Sequence, residues 1–215
     1  MPHCTRKRDQ GDVYDLSSLT ERKQEMLRII TGSAKGKKIL TLEGEATRPT
    51  SERIKEAVFS SIQFDIEGRV VLDLFAGSGQ LGLEALSRGA MRCMFVDSER
   101  DAIEIVKKNI AATGFADVTK HIVSDWRNYI RKASQREKFD LVFVDPPYAM
   151  QCCSEAARRL AESGILLNGA IVVLESGEEE VNTEELISLG YEIQKSTRYG
   201  KKTFVNVLLY RGTEG

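Results

Sequence analysis

The sequence predicts an α/β protein built on a doubly wound, mostly parallel sheet, and three observations carry that prediction. From residue 69 onward, apolar segments of strand length alternate with segments of helical period. The strand segments "RVVLDLF", "KFDLVFVD" and "AIVVLE" show no apolar–polar alternation, as expected of strands buried on both faces. The chain closes with "YEIQKSTRYG" and "KKTFVNVLLY", two strands about a tight turn, which read as an antiparallel pair. Helices cover both faces of such a sheet, and ligands bind beyond the carboxyl ends of its strands.

Each element can be placed in turn. Residues 1–26 are polar and mixed in charge, and are expected to form a poorly ordered extension with a short helix near "LTERKQEM". "RIITG" and "KKILTL", separated by "SAKG", predict a β-hairpin. In "ATRPTSERIKEAVFSSI", Pro49 marks a helix boundary with Thr50 or Ser51 as N-cap. Ile54, Ala57, Val58 and Ile62 follow at helical spacing. Residues 27–64 thus read as a hairpin-and-helix unit ahead of a domain spanning 65–215. That domain begins with strand "RVVLDLF", helix "QLGLEALSRG" stopped by Gly89, strand "RCMFVD" and helix "ERDAIEIVKKNIAATG". Strand "VTKHIVSD", the short helix "WRNYIRKAS", strand "KFDLVFVD", helix "SEAARRLAESG", strand "AIVVLE" and helix "TEELISLG" lead to the closing pair.

Composition bounds the function. The 215 residues are 41% hydrophobic and 29% charged, the balance of an ordinary globular domain. The longest apolar stretch, "ILLNGAIVVL", is broken by Asn168 and Gly169 and falls short of the ~20 residues of a membrane span. Residues 1–25 lack the apolar core of a signal peptide, so a cytoplasmic protein is expected. Four cysteines form no Cys-x-x-Cys pair, and the two histidines, His3 and His121, have no second ligand near them in sequence. No metal site is expected, and the thiols suit a reducing compartment. The net charge of −1 supplies no global attraction to nucleic acid. Charge is unevenly spread, however. "LRIITGSAKGKKILTL" carries Arg28, Lys35, Lys37 and Lys38 without an acid, whereas "ESGEEEVNTEE" carries six carboxylates. Either run is explained by a solvated surface unless the basic hairpin lies beside an active site.

The candidate chemistry sits at strand ends. Beyond "VLDLF", Gly77, Gly79 and Gly82 satisfy GxGxxG, and Asp97 ends the next strand twenty residues after Gly77. Glycines let the backbone approach a nucleoside cofactor, the following helix N-terminus favours an anion, and the acid accepts hydrogen bonds from ribose hydroxyls. A tight strand–helix turn is the bland alternative. Asp73 favours S-adenosylmethionine over a dinucleotide: a carboxylate before the glycines suits a cationic cofactor without phosphates, by orienting the loop or by reaching its ammonium. Phe75 closes the same strand and joins the candidate set. Asp125 is placed to accept from the adenine amine, and Trp126 either flanks the adenine or packs as an ordinary core residue. The fourth strand ends "VDPPY". A side-chain oxygen of Asp145 and the carbonyl of Pro146 can each accept one N–H of an aromatic amine, aiming its lone pair at a methyl group. Pro146 and Pro147 hold those acceptors rigid, and Tyr148 offers a face on which a flipped base can stack.

Together these residues resemble the S-adenosylmethionine-dependent amino-methyltransferases, whose signature is [DNS]-PP-[YFW]. The resemblance is closer to one family. "RIITGSAKGKKIL", "RPTSERIKEAVF", "VLDLFAGSGQLGLEALSRGA", "FVDPPY" and "RYGKKTFVNV" stand in the order and spacing of the bacterial small-subunit (16S) ribosomal RNA guanine-N2 methyltransferases of the guanine-966 type, over about residues 27–210. The resemblance implies a Rossmann-like methyltransferase sheet of seven strands with an inserted last strand and an N-terminal β-hairpin. It also implies action on 16S RNA in an assembling small subunit; a monomer is expected. Asp97 stands where relatives more often carry Glu, Gln80 replaces a small residue, and residues 1–26 have no counterpart. Substrate phosphates are expected to meet Lys35, Lys37, Lys38, Arg48 and Arg53.

Other readings are weaker. A DNA adenine or cytosine methyltransferase would use the same Asp-Pro-Pro-Tyr, but this chain has no spare residues for a target-recognition domain. A dinucleotide-binding protein explains the glycines and leaves Asp73 and Asp145 idle. A plain RNA-binding module explains the basic hairpin alone.

Overall fold

The computed structural model describes residues 26–42, 49–134, 136–177 and 181–212, with the side chains of 49–51 excepted. The extension expected up to residue 26 lies outside the described residues but for Met26, and so does Arg48.

Among the described residues, β1 (Met26–Arg28) and β2 (Lys38–Leu40) form an antiparallel hairpin. The main sheet comprises β3 (Val70–Asp73), β4 (Arg92–Asp97), β5 (Thr119–Val123), β6 (Phe139–Val144), β7 (Leu166–Ser176), β8 (Tyr191–Tyr199) and β9 (Thr203–Tyr210). Its order is β5-β4-β3-β6-β7-β9-β8, so the last strand is inserted between β7 and β8 and runs antiparallel to both. The first five strands in that order are parallel. Helices α1 (Pro49–Ser61), α2 (Gln80–Ser87) and α3 (Arg100–Thr113) cover one face. Helices α4 (Trp126–Ala133), α5 (Cys153–Ser163) and α6 (Thr183–Ser188) cover the other. Along β6, Leu141 and Phe143 enter the first core while Val142 and Val144 enter the second. Alternate residues point to opposite faces, so a strand between two helical layers is apolar throughout. Strand order reverses between β3 and β6, and the carboxyl ends there form the crevice where such sheets bind ligands.

Three local expectations shift, each for a physical reason. The hairpin strands pair through Met26–Arg28 rather than from Arg28 onward, because the Ile30 and Thr31 amides bond to the Glu84 carboxylate of α2 instead of to a partner strand. Helix α1 begins at Pro49, ahead of both Thr50 and Ser51, since proline's fixed φ suits a first helical position. Strand β5 ends at Val123, and Asp125 becomes the N-cap of α4.

The hairpin shares a core with the sheet: Leu27, Ile29, Ala34 and Ile39 pack in one cluster with Phe59, Leu83 and Phe95. A buried polar seam holds it there. Glu84, fully buried, accepts from Ile30 N–H (2.7 Å), Thr31 N–H (3.1 Å) and Arg88 Nε (2.8 Å). Ser87 Oγ accepts from the Ala34 amide at 2.9 Å, and Asn109 bonds both the amide and the carbonyl of Leu40. The hairpin turn lies at the C-terminal ends of α2 and α3, where the Ser87 carbonyl accepts from Ser33 N–H. Lys37 Nζ donates to the Thr113 carbonyl at 2.8 Å, a cation at a helix C-terminus. Replacing Glu84 by Ala strands two amides and a guanidinium. We expect Glu84→Ala to lower the unfolding free energy by about 3 kcal/mol in a urea titration; a loss below about 1 kcal/mol would mean the seam is not structural.

Candidate active site

The glycine loop is held at both ends by carboxylates. Asp73, at the end of β3 and only 2% exposed, accepts from Gly82 N–H through Oδ2 at 2.9 Å. That bond holds the first turn of α2, where a negative charge also favours the helix dipole. Asp97, at the end of neighbouring β4, accepts from Gly77 N–H (Oδ2, 2.8 Å) and Glu99 N–H (Oδ1, 2.9 Å). Gly79 caps α2 in the left-handed region at φ 79°, and a Cβ on Gly82 would lie 2.4 Å from the Phe95 ring. Gly82 is therefore a packing glycine and Gly79 a turn glycine.

At the end of β5, Asp125 is exposed, and its Oδ1 accepts from the Arg127 (3.0 Å) and Asn128 (3.1 Å) amides. Trp126 is buried, its ring 5.9 Å from that of Phe75, with the Arg127 guanidinium 4.3 Å from the ring centroid. Phe75 and Trp126 thus pack together beneath the strand ends. Among the described residues, the buried side-chain polar atoms left without a hydrogen-bond partner are Ser78 Oγ in the glycine loop and Trp126 Nε1.

Asp145 follows β6 directly and is partly buried; Pro146 is buried and Pro147 exposed. Tyr148 begins a short 3₁₀ turn and is 42% exposed, so one part of its ring is open to solvent. Its position is fixed from the rest of the sheet. The hydroxyl donates to Glu175 Oε1 (3.1 Å) at the end of β7 and lies 2.9 Å from Thr203 Oγ1 on β9. The ring base packs on Gly177, where an added Cβ would fall 2.9 Å from both Cβ and Cγ of Tyr148. Burial, with the nearby Glu175 and Asp145 charges, pushes the Tyr148 phenol up to about 12 against the opposing Thr203 bond. Burial also raises the Glu175 carboxyl, which the bond from Tyr148 opposes. Lys55 of α1 is 3% exposed and donates to the Arg28 carbonyl at 3.3 Å; burial lowers its pKa, and Glu84 opposes the change.

The structure therefore gathers Asp73, Gly77, Gly79, Asp97, Asp145 and Tyr148 at one end of the sheet. The basic residues do not travel together. Lys35 and Lys37 sit by the hairpin turn at the opposite end, Lys37 committed to the end of α3, whereas exposed Arg53 stands two residues before Lys55, which lines a cleft with Asp145. Sequence reasoning missed Glu175, Gly177, Thr203 and Lys55. The strand-end rule was a sufficient signal for Glu175, which closes "AIVVLE". A cavity of about 520 Å³ opens at the amino ends of the strands beside Arg92, Lys120, Arg136 and Lys138, and neither Asp97 nor Asp145 lines it.

A family model described as conserved hypothetical protein 95 matches residues 27–208. The Ribosomal RNA small subunit methyltransferase D of Haemophilus influenzae is 31% identical over 155 residues, 72% of this chain and 80% of that protein. Its namesake from Escherichia coli is 33% identical over 150 residues, 70% and 74% of the two chains. The chain belongs to this family. A solved structure of a candidate methyltransferase from Escherichia coli superposes with a TM-score of 0.75 at 27% identity, covering 88% of this chain and 100% of the other. In this methyltransferase family member, the support beneath Tyr148 can be tested without touching a polar group. Gly177→Ala should lower methyl transfer at least tenfold, because the new Cβ pushes the ring off its seat, while the melting temperature falls only slightly. Unchanged turnover would mean that the ring needs no fixed seat.

Proposed function

We propose that the protein transfers a methyl group from S-adenosylmethionine to the exocyclic N2 amine of a guanine in 16S ribosomal RNA, within an assembling small subunit in the cytoplasm. The observation that carries the reading is the juxtaposition of Asp145-Pro146-Pro147-Tyr148 with the carboxylate-held glycine loop at the β3/β6 switch point. The small-subunit relatives support the RNA substrate. Among the described residues no helix is long and apolar enough to cross a membrane.

The residues present fit the cofactor. Asp97 has lone pairs to spare for ribose hydroxyls, Asp125 keeps Oδ2 for the adenine amine, and the orphaned Ser78 hydroxyl and Trp126 indole N–H flank the same strand ends. Phe75 and Trp126 form the apolar floor. When bound, S-adenosylmethionine supplies an electrophilic methyl group. Asp145 and the Pro146 carbonyl accept the two N–H groups of the base amine, which turns its lone pair towards that methyl. Asp145 is placed to take the proton shed as the N–C bond forms. Tyr148 supports the flipped base on its open face.

Two tests follow from this division of labour. Asp145→Ala should lower methyl transfer a hundredfold or more, the ~2.7–4 kcal/mol of one lost oriented group, with cofactor affinity unchanged in calorimetry. Asp97→Ala should instead weaken cofactor binding. Mapping the methylated nucleotide on undermethylated small subunits identifies the product, and full turnover by Asp145→Ala would remove that residue from the reaction. RNA capture is expected from Arg53 rather than Lys37. Arg53→Gln should reduce the slope of log K against log salt by about 0.7, and Lys37→Gln should leave it unchanged; the reverse pattern would place the RNA on the hairpin turn.

A further inference from the structure

Glu175 anchors Tyr148, yet that bond uses one carboxylate oxygen of two. Its place in the sheet gives the other oxygen a second task. Val144 of β6 is in register with Leu174 of β7, so Asp145 and Glu175 are the next residues on adjacent parallel strands. Val144 and Leu174 point into the core beneath α4 and α5, and Asp145 and Glu175 therefore share the opposite face. Adjacent strands lie about 4.8 Å apart, close enough for both carboxylates to reach one base edge. Both carboxylates line one narrow cleft with Lys55, Gln80 and Phe143. Its volume of about 40 Å³ admits a polar edge, not a whole ring.

We propose that Glu175 is a specificity-determining residue that selects guanine by accepting the N1–H of the base whose N2 amine rests on Asp145. The proposal rests on the exocyclic-amine reading of the site given above and names what selects the base there. In guanine, the ring nitrogen beside the amine-bearing carbon on the pairing edge carries a hydrogen. In adenine and cytosine the corresponding nitrogen, N1 or N3, carries a lone pair. An acceptor beside Asp145 thus forms a charge-assisted hydrogen bond with guanine and sets a lone pair against an anion with the other two. The hydroxyl of Tyr148 donates to Glu175 and so orients the carboxylate as an acceptor while it holds the ring on which the base stacks. One side chain then couples the seat of the base to the reading of its edge.

The test uses small ribosomal subunits reassembled with guanine, 2-aminopurine or adenine at the methylated nucleotide. 2-Aminopurine keeps the 2-amine but presents a lone pair at N1. Wild-type protein should prefer guanine to 2-aminopurine by roughly 100-fold or more, as sites built to hydrogen-bond an N–H reject analogues that lack it. Glu175→Gln should narrow that preference to within roughly tenfold. Its amide nitrogen can donate to the bare N1 while its oxygen still accepts from Tyr148, so a merely structural role would not move the ratio. Equal losses on guanine and 2-aminopurine would leave Glu175 as an anchor only and overturn the proposal. Equal use of the two purines by the wild type would overturn it without any variant. Transfer by the wild type to adenine in place of guanine would overturn the substrate reading beneath it.

Discussion

Two carboxylates at the ends of adjacent strands set the geometry on which the site depends. Asp73 grips the first turn of α2 through Gly82 N–H, and Asp97 grips the start of the loop through Gly77 N–H. Between those bonds the chain makes a left-handed turn at Gly79. Buried amides need acceptors, and here the acceptors belong to strands of the main sheet rather than to the loop itself. The loop is consequently placed by the sheet, whose register is fixed by apolar packing on both faces. Any nucleoside bound there inherits that placement.

The second half of the site is built the same way from the other side of the switch point. Asp145 and Glu175 end neighbouring strands, and Tyr148 reaches across them to Thr203 on β9. The aromatic ring is exposed enough to meet a base, but its base and its hydroxyl are both occupied. Ordering a side chain before a ligand arrives reduces the conformational entropy lost on binding.

Much of this was legible in the sequence. Parallel strands covered by helices leave a plain signature in "RVVLDLF" and "AIVVLE", and the glycine loop and Asp-Pro-Pro-Tyr each lie within one short stretch. What escaped is what the fold assembles over distance. Glu175 and Gly177 at the end of β7 and Thr203 on β9 come from two places in the chain, and only the insertion of β9 beside β7 brings Thr203 to the same Tyr148. The direction of the basic hairpin was equally hidden. Its lysines look alike in sequence, but Lys37 is drawn to the carbonyl end of α3, a partner 76 positions away. Trp126 shows a limit of another kind: residue type alone does not separate a ring that packs from one that binds.

The insertion of β9 also dictates when the site becomes whole. Residues 170–176 of β7 pair with residues 204–210, and Thr203 just before them secures Tyr148. During synthesis, therefore, the glycine loop and Asp145 emerge long before the support of the aromatic ring does. Until then β7 offers an open strand edge to any other chain, the usual hazard of an unpaired strand. A polypeptide interrupted near residue 200 would retain the stretches that resemble a methyltransferase and still lack the Thr203 hydroxyl that secures Tyr148.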